Sequence, residues 1–511
     1  MTPKAHPDGH RARMRVAVIG SGFAGLGVAF ALERLGLEYT VFERGEEQGG
    51  TWRDNSYPGC QCDVPSHLYS FSFAPNPEWT RTYSMQAEIW DYLQRCARRF
   101  GVLPRVRFGT GVEEARWDDE RLVWRLDTTD GPAQADVLIS GNGALAEPYV
   151  PDISGLEAFP GPAFHTARWD HRQDLRGRRV AVIGTGASAI QVVPSIQPLV
   201  EKLYVFQRTP AWVLPHTDRP ITGLERAVYR RFPPVQRAVR HGIYWSRELL
   251  VFGMAKDPRF NRPLERIGRA HLRRQVKDPE LRRRLTPTFL PGCKRLLLSN
   301  DFYPALTRPN VELVTEPIRE ATASGIVTGD GRARDVDTIV FGTGFRVTDN
   351  PVAEKVLGRE GRSLAEVWAE SGPQAYLGTT VAGFPNLFLM TGPNTGIGHT
   401  SVLLMIEAQM NYIADAMRFL VADGVASAEV RPEVQDAYNR ELEAKTRDTV
   451  WTAGGCDSWY LDSRGRNRTL WPDFTWRYGR RMRRFDPGAY LLEPAAARSR
   501  PPSVPDPATV R

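Results

Sequence analysis

Cysteine is scarce: five residues in a chain of 511, at positions 60, 62, 96, 293 and 456. So odd and scattered a set supplies no disulfide framework. Cys60 and Cys62 form a C-x-C pair, but no second cysteine or histidine pair stands at ligand spacing, so no metal site is expected. No C-x-x-C or C-x4-C pair is present either, which argues against a disulfide or quinone reductase. Long apolar runs are missing, and the opening stretch "MTPKAHPDGHRARM" has no apolar signal core. These absences lead to the expectation of a soluble chain in a reducing cytoplasm, with no transmembrane segment.

Acidic residues fall short of basic ones, 59 against 67, for a net charge of +8. Much of the excess lies between residues 224 and 285 and in "WRYGRRMRRFD" near the end. Nucleic acid is set aside as a partner because no stacking or groove-reading motif accompanies the charge. A solvated face, or attraction of a phosphate-bearing cofactor, accounts for it. The 41% hydrophobic and 25% charged content is that of a globular protein, long enough for two or three domains.

What is present is a repeat. "RVAVIGSGFAGLGVAFALERLGLEYTVFER" begins at Arg15, and "RVAVIGTGASAIQVVPSIQPLVEKLYVFQR" begins at Arg179. Each reads as buried strand, glycine loop, helix and second strand, the pattern of a dinucleotide-binding unit. In the first, Gly20 permits a tight turn, Gly22 lets backbone approach a pyrophosphate, and Gly25 allows close helix packing. The helix N-terminus then faces the phosphates, and Phe23 is expected as a further cofactor contact. Glu43 ends the next strand, where a carboxylate binds ribose hydroxyls. The second unit keeps Gly184, Thr185 and Gly186 and has Ala189 in the third place. Its strand end differs: Glu43 corresponds to Gln207, and Arg44 to Arg208, followed by Thr209. Without the carboxylate, and with an arginine to pair with it, a 2′-phosphate is accepted. FAD is therefore expected at the first site and NADPH at the second, unless Arg208 is only a surface arginine after a strand.

Between the two units stands "FPGPAFHTARWD", residues 159 to 170. It resembles the F-x-G-x-x-x-H-x-x-x-W-[PD] signature of type I Baeyer–Villiger monooxygenases, relatives of the flavin-containing monooxygenases that oxygenate nitrogen or sulfur. In those relatives another aromatic usually replaces the tryptophan, so Trp169 and Asp170 point to the Baeyer–Villiger branch. The resemblance runs from about residue 14 to about 487. It implies that His165 and Trp169 couple NADPH seating to domain movement, with a general-base role or simple packing as alternatives for His165.

Further stretches carry the same resemblance. "GGTWRDNSYPGCQCDVPSHLYSFSF" is similar to the segment covering the flavin, which implies Thr51, Trp52 and Tyr69 beside FAD and Asp63 near flavin and nicotinamide. Val112 is implied as a further cofactor contact. "LPGCKRLLLSNDFYPALTRPNVEL" implies Lys294 on an NADPH phosphate and Arg295 as the active-site arginine, positioned by Asp63. "DVDTIVFGTGF" has Gly342 where the family usually has alanine. "GFPNLFLMTGPNTGIGHTSVL" runs from a strand into a helical pattern whose N-terminus would face the flavin pyrimidine carbonyls. Trp459 in "GCDSWYLDSRGRN" matches a tryptophan reaching toward the NADP ribose and substrate. The residues after it depart from the common G-A-N-x-P-G-K and resemble an acetophenone-monooxygenase-like branch.

The fold implied is doubly wound α/β with two Rossmann-like dinucleotide-binding domains. Residues 14–150 and 336–490 would form a discontinuous FAD domain, the second part also carrying a substrate and C-terminal segment. Residues 151–176 would be the signature linker and 177–335 the NADPH domain, with a helical insertion at about 211–290. Residues 1–13 and 491–511 would be disordered. The basic insertion either packs on its domain or touches a membrane surface. The implied reaction uses NADPH and dioxygen to insert one oxygen atom beside a ketone carbonyl, giving an ester or lactone through a C4a-peroxyflavin and a tetrahedral Criegee adduct. Nitrogen or sulfur oxygenation on the same fold is the alternative.

Overall fold

The computed structural model describes residues 14–143, 145–347 and 352–495; the expectations for 1–13 and 496–511 lie outside the described residues. Two five-stranded parallel sheets organise the chain. In the first, Arg15–Ile19 lies between Glu38–Phe42 and Val137–Ser140, with Val106–Arg107 and Leu387–Leu389 outermost. In the second, Arg179–Ile183 lies between Lys202–Phe206 and Thr338–Phe341, with Val311–Val314 and Ala163–His165 outermost. The central strands are continuous apolar runs because both faces of a parallel sheet are covered. Val18, Val41, Val137, Val180, Val182 and Val205 are all fully buried.

Three expected boundaries need correction. Thr338–Phe341, assigned to the FAD domain by a break at 335, pairs with Arg179–Ile183 and closes the second sheet. An apolar run such as TIVF suits either sheet, and nothing local says which one takes it. Ala163–His165, inside the supposed linker, is an edge strand of that same sheet. Tyr490–Pro494, partly inside the supposed disordered tail, pairs antiparallel with Val425–Val430.

Both glycine loops stand where a strand turns into a helix. Gly20 has φ +87°, a region closed to most side chains. Gly25, in the helix Phe23–Leu35, packs directly on that turn: a Cβ there would lie 1.8 Å from the Gly20 carbonyl oxygen. The second loop carries Ala189 at the equivalent place, and the room comes from across the contact. Gly342 faces it, and a Cβ on Gly342 would stand 3.1 Å from Cβ of Ala189. The two departures from pattern, alanine for glycine and glycine for alanine, therefore compensate each other.

The helix Val402–Ala422 crosses Phe23–Leu35 at Gly27, where a Cβ would meet Met410 Sδ at 2.8 Å. Ser401 caps it by accepting from the Leu403 N–H. The helical insertion comprises Gly223–Arg231, Pro233–Glu248, Arg262–Gln275 and Pro279–Arg284. Thr222 and Glu225 form a capping box at its start. It is docked on the first domain: Arg240 Nη1 donates to the carbonyls of His67, Leu68 and Ser70 at 2.7, 3.2 and 3.0 Å. Trp245, Leu249, Phe252 and Phe260 remain exposed on its outer side. Among the described residues no helix is long and apolar enough to cross a membrane.

Gly25→Ala tests the first turn. The overlap with backbone cannot be relieved by a rotamer change, so a loss of about 1–3 kcal/mol is expected, read as a lower melting temperature together with a lower bound-dinucleotide content after purification.

Candidate active site

The first loop is finished by a buried carboxylate. Glu43 Oε2 accepts from the Ser21 N–H at 2.8 Å and its hydroxyl at 2.7 Å, while Oε1 accepts from the Gly45 N–H at 2.8 Å. Arg53 pairs with the same carboxylate at 3.1 Å. Gly22 and Gly50 come backbone to backbone, a Cβ on Gly50 lying 3.1 Å from Gly22 Cα. Thr51 opens the short helix Thr51–Asp54, and Trp52 Nε1 donates to the Tyr69 hydroxyl at 3.0 Å. Phe23 meets Tyr69 edge-on at 5.3 Å. Val112 opens a strand just after Thr110, whose N–H donates to the Glu43 carbonyl. Residues far apart in sequence thus close around one loop.

The second strand end is built differently. Gln207 is buried and turned inward, its Nε2 donating to the Arg284 carbonyl at 2.9 Å. Arg208 is exposed, and among the described residues no carboxylate salt-bridges it. Arg44, its counterpart, is held by Glu147. Lys294 stands near Arg208 and over the Phe289 ring at 5.4 Å. Burial, then the Arg208 charge, lowers its pKa, with Asp457 acting oppositely. Thr185 Oγ1 reaches the Thr209 carbonyl at 3.4 Å, and the space above Gly186 is open. Two cations beside an open glycine turn suit an anionic phosphate.

Arg295 is clamped by Asp63, 232 residues away in sequence. Nε donates to Oδ2 at 2.5 Å and Nη2 to Oδ1 at 2.7 Å, a bidentate pair. The Coulomb field of Asp63 raises the arginine further above its ordinary value. Burial pushes the Asp63 carboxyl up, yet Arg295 outweighs it and holds the group below the usual carboxylate range. Tyr460, buried, faces this pair. Trp459 is exposed and lies 4.4 Å from the Tyr460 ring.

His165 and Trp169 lie elsewhere. His165 is 4% exposed, its Nδ1 accepts from the Ala167 N–H at 3.0 Å, and its other edge faces the Gly344 backbone and the Phe345 ring. It touches neither Asp63 nor Arg295. Trp169 meets Phe164 edge-on at 5.1 Å. The next turn reaches back to the flavin-covering segment through His171 and Ser56, 2.8 Å apart.

The Flavin-binding monooxygenase-like family model matches residues 13–236. A Baeyer–Villiger monooxygenase of Streptomyces coelicolor is 52% identical over 488 residues, 95% of this chain and 94% of that protein. The chain belongs to the Baeyer–Villiger monooxygenases. The cyclohexanone monooxygenase of Rhodococcus sp. Phi1 bound to NADP+ superposes with TM-score 0.84 at 30% identity, over 95% of this chain and all of that one. OTEMO in complex with FAD and NADP gives TM-score 0.85 at 27% identity, over 94% and 99%. The fold and the pair of cofactors, FAD and NADPH, are therefore those of this monooxygenase family.

Sequence reading missed several supports of this monooxygenase site. Gln191 joins the two domains, accepting from the Tyr57 hydroxyl at 2.9 Å and donating to the Gln61 carbonyl at 2.9 Å. Asp218 accepts from Gln61, Arg81, Thr82 and the Tyr83 N–H, which fixes the segment leading to Asp63. Neither residue type carries a signal at its position. Tyr460 was within reach, since it adjoins Trp459. The expectation of no disulfide is corrected: Cys293 and Cys456 are bonded across 163 residues, while Cys60, Cys62 and Cys96 are free and buried. A pairing that distant leaves no trace in local spacing.

Burial lowers the His165 pKa to about 4, so the ring is neutral at pH 7. The unfolded chain takes up this proton near pH 6.5, roughly the free histidine value, so stability falls as pH drops from there toward the folded value. His165→Gln should make unfolding midpoints less steeply pH-dependent between pH 7 and the folded pKa, leaving the share due to His67, whose pKa is also lowered to about 4.

Proposed function

We propose that the Arg295–Asp63 pair is the reacting centre of this Baeyer–Villiger monooxygenase. Its substrate is then a ketone. The bidentate clamp carries this reading: an arginine fixed in one plane, still exposing the Nη1 amino group, is suited to oxygen atoms that gain negative charge. FAD bound at the first loop and reduced by NADPH supplies the activation of dioxygen. Arg295 cannot lose its proton at working pH, so it orients and stabilises rather than acting as an acid. Asp63, held ionised by its partner, keeps the guanidinium from swinging away.

The remaining residues divide between the cofactors. Gly20, Gly22, Phe23, Gly25 and Glu43 hold the FAD pyrophosphate and ribose, with Thr51, Trp52, Tyr69 and Val112 at its sides. Gly184, Thr185, Gly186, Ala189 and Thr209 frame the NADPH pyrophosphate, Arg208 and Lys294 take the 2′-phosphate, and Trp459 covers the ribose. His165 and Trp169 hold the segment that joins the sheets. Tyr460, Trp451, Met254 and Phe289 form a buried apolar cluster that backs the segment carrying Lys294 and Arg295.

Anaerobic reduction by NADPH followed by mixing with oxygen and a ketone tests this, with amines and sulfides as controls. Ketones are expected to be converted to esters faster than amines and sulfides are converted to N- and S-oxides; N- or S-oxide formation with indifference to ketones would overturn this reading. Arg295→Ala should leave flavin reduction by NADPH intact and lower ester formation by about 100- to 1,000-fold; wild-type ester formation would remove Arg295 from the mechanism. Arg208→Ala should raise KM for NADPH roughly 10- to 100-fold, the value of a charge-assisted contact, without changing that for NADH.

A further inference from the structure

The Cys293–Cys456 disulfide sits between the two halves of the nicotinamide cofactor site. Cys293 immediately precedes Lys294 and Arg295, and Cys456 precedes Asp457 and Trp459. The bond ties the segment carrying the clamped arginine to loop 454–460, where the Asp457 charge acts on Lys294 and Tyr460 lies within the field of Arg295. Packing around it is close. Cys293 is fully buried with Met254, Phe289, Val450 and Trp451, the Leu290 N–H donates to the Gly454 carbonyl at 3.0 Å, and a Cβ on Gly454 would lie 2.8 Å from Cys293 Sγ. Cys456 is only partly buried, so an incoming thiol reaches its sulfur first.

We propose that this disulfide is a redox modification site that sets how firmly the enzyme holds NADP(H). Closed, it pins loop 454–460 against Lys294; open, it releases the loop. This rests on reading Lys294 and Arg208 as NADPH contacts. To open the bond, one thiolate of a dithiol attacks Cys456 Sγ, the S–S bond breaks, and Cys293 leaves as a thiolate that takes up a proton. The second thiol of the reductant then displaces Cys456 and leaves the reductant as a disulfide, two electrons having passed to the protein. To close it, a cysteine thiolate attacks hydrogen peroxide, forming a sulfenic acid and releasing hydroxide; the other thiol displaces water from it. Two thiols and one peroxide give one disulfide and two waters. Reduced flavin that meets oxygen without substrate releases that peroxide. An NADPH-consuming enzyme works among reduced thiols, where disulfides are chiefly transient, catalytic or redox-sensing. The other cysteines do not compete: burial pushes the Cys60 thiol up to about 12 and also raises Cys62 and Cys96.

The test compares FAD-loaded protein treated with hydrogen peroxide against protein treated with dithiothreitol and desalted under nitrogen. Alkylation and peptide mass mapping report the 293–456 link. The reduced form should show KM for NADPH raised roughly five-fold or more and faster NADP+ release, while flavin reduction at saturating NADPH changes less than about two-fold. Cys456→Ser should reproduce the reduced behaviour and ignore both reagents; Cys293→Ala is the second variant if the first is unstable. A link that never forms, or that forms without moving KM, overturns the proposal. Flavin that NADPH cannot reduce in either state overturns the underlying cofactor reading instead, and the two failures are distinct.

Discussion

The two-point ion pair between Asp63 and Arg295 is the constraint on which the site depends. One partner lies within the flavin-covering segment, and the other follows the helical insertion of the second domain. Both charges are half-buried near Tyr460, Cys62 and Tyr69, and each alone would lose part of its solvation with nothing to offset it. Pairing removes that penalty and fixes the relative position of the two segments at once. A reactive arginine is thereby presented in one orientation by a contact that is also part of the architecture.

Neighbouring contacts protect this geometry from both sides. Gln191, in the helix Ala189–Ile196, meets Tyr57 and Gln61 two residues before Asp63. Asp218 gathers Gln61, Arg81, Thr82 and Tyr83, and Arg247 of the insertion donates to the Tyr83 hydroxyl at 2.7 Å. A shift of one domain must therefore disturb a hydrogen-bonded network rather than slide over an apolar face. His165 belongs to a different seam, where the second sheet's edge strand meets the Gly344–Phe345 turn.

Much of the fold was legible because it is written locally. Strand, glycine turn and helix succeed one another within thirty or so residues at each nucleotide unit, as the βαβ unit requires, and the apolar runs name their own burial. The pairing of Asp63 with Arg295 was likewise approached from motif positions, whereas the inward turn of Gln207 and the pairing of Arg44 with Glu147 came only from the structure. What escaped is what only tertiary contact creates. Thr338–Phe341 could have joined either sheet, Gln191 and Asp218 are ordinary polar residues until two domains meet around them, and Cys293 and Cys456 become partners only when loop 454–460 folds back.

The contact between Ala189 and Gly342 sets a limit on the second nucleotide turn. In the first unit Gly25 presses on its own turn at Gly20 and must stay bare, whereas in the second the room for the Ala189 methyl is bounded by Gly342. A methyl group on Gly342 would press on that of Ala189 at 3.1 Å, so the second turn holds its shape while one of the two facing residues stays bare.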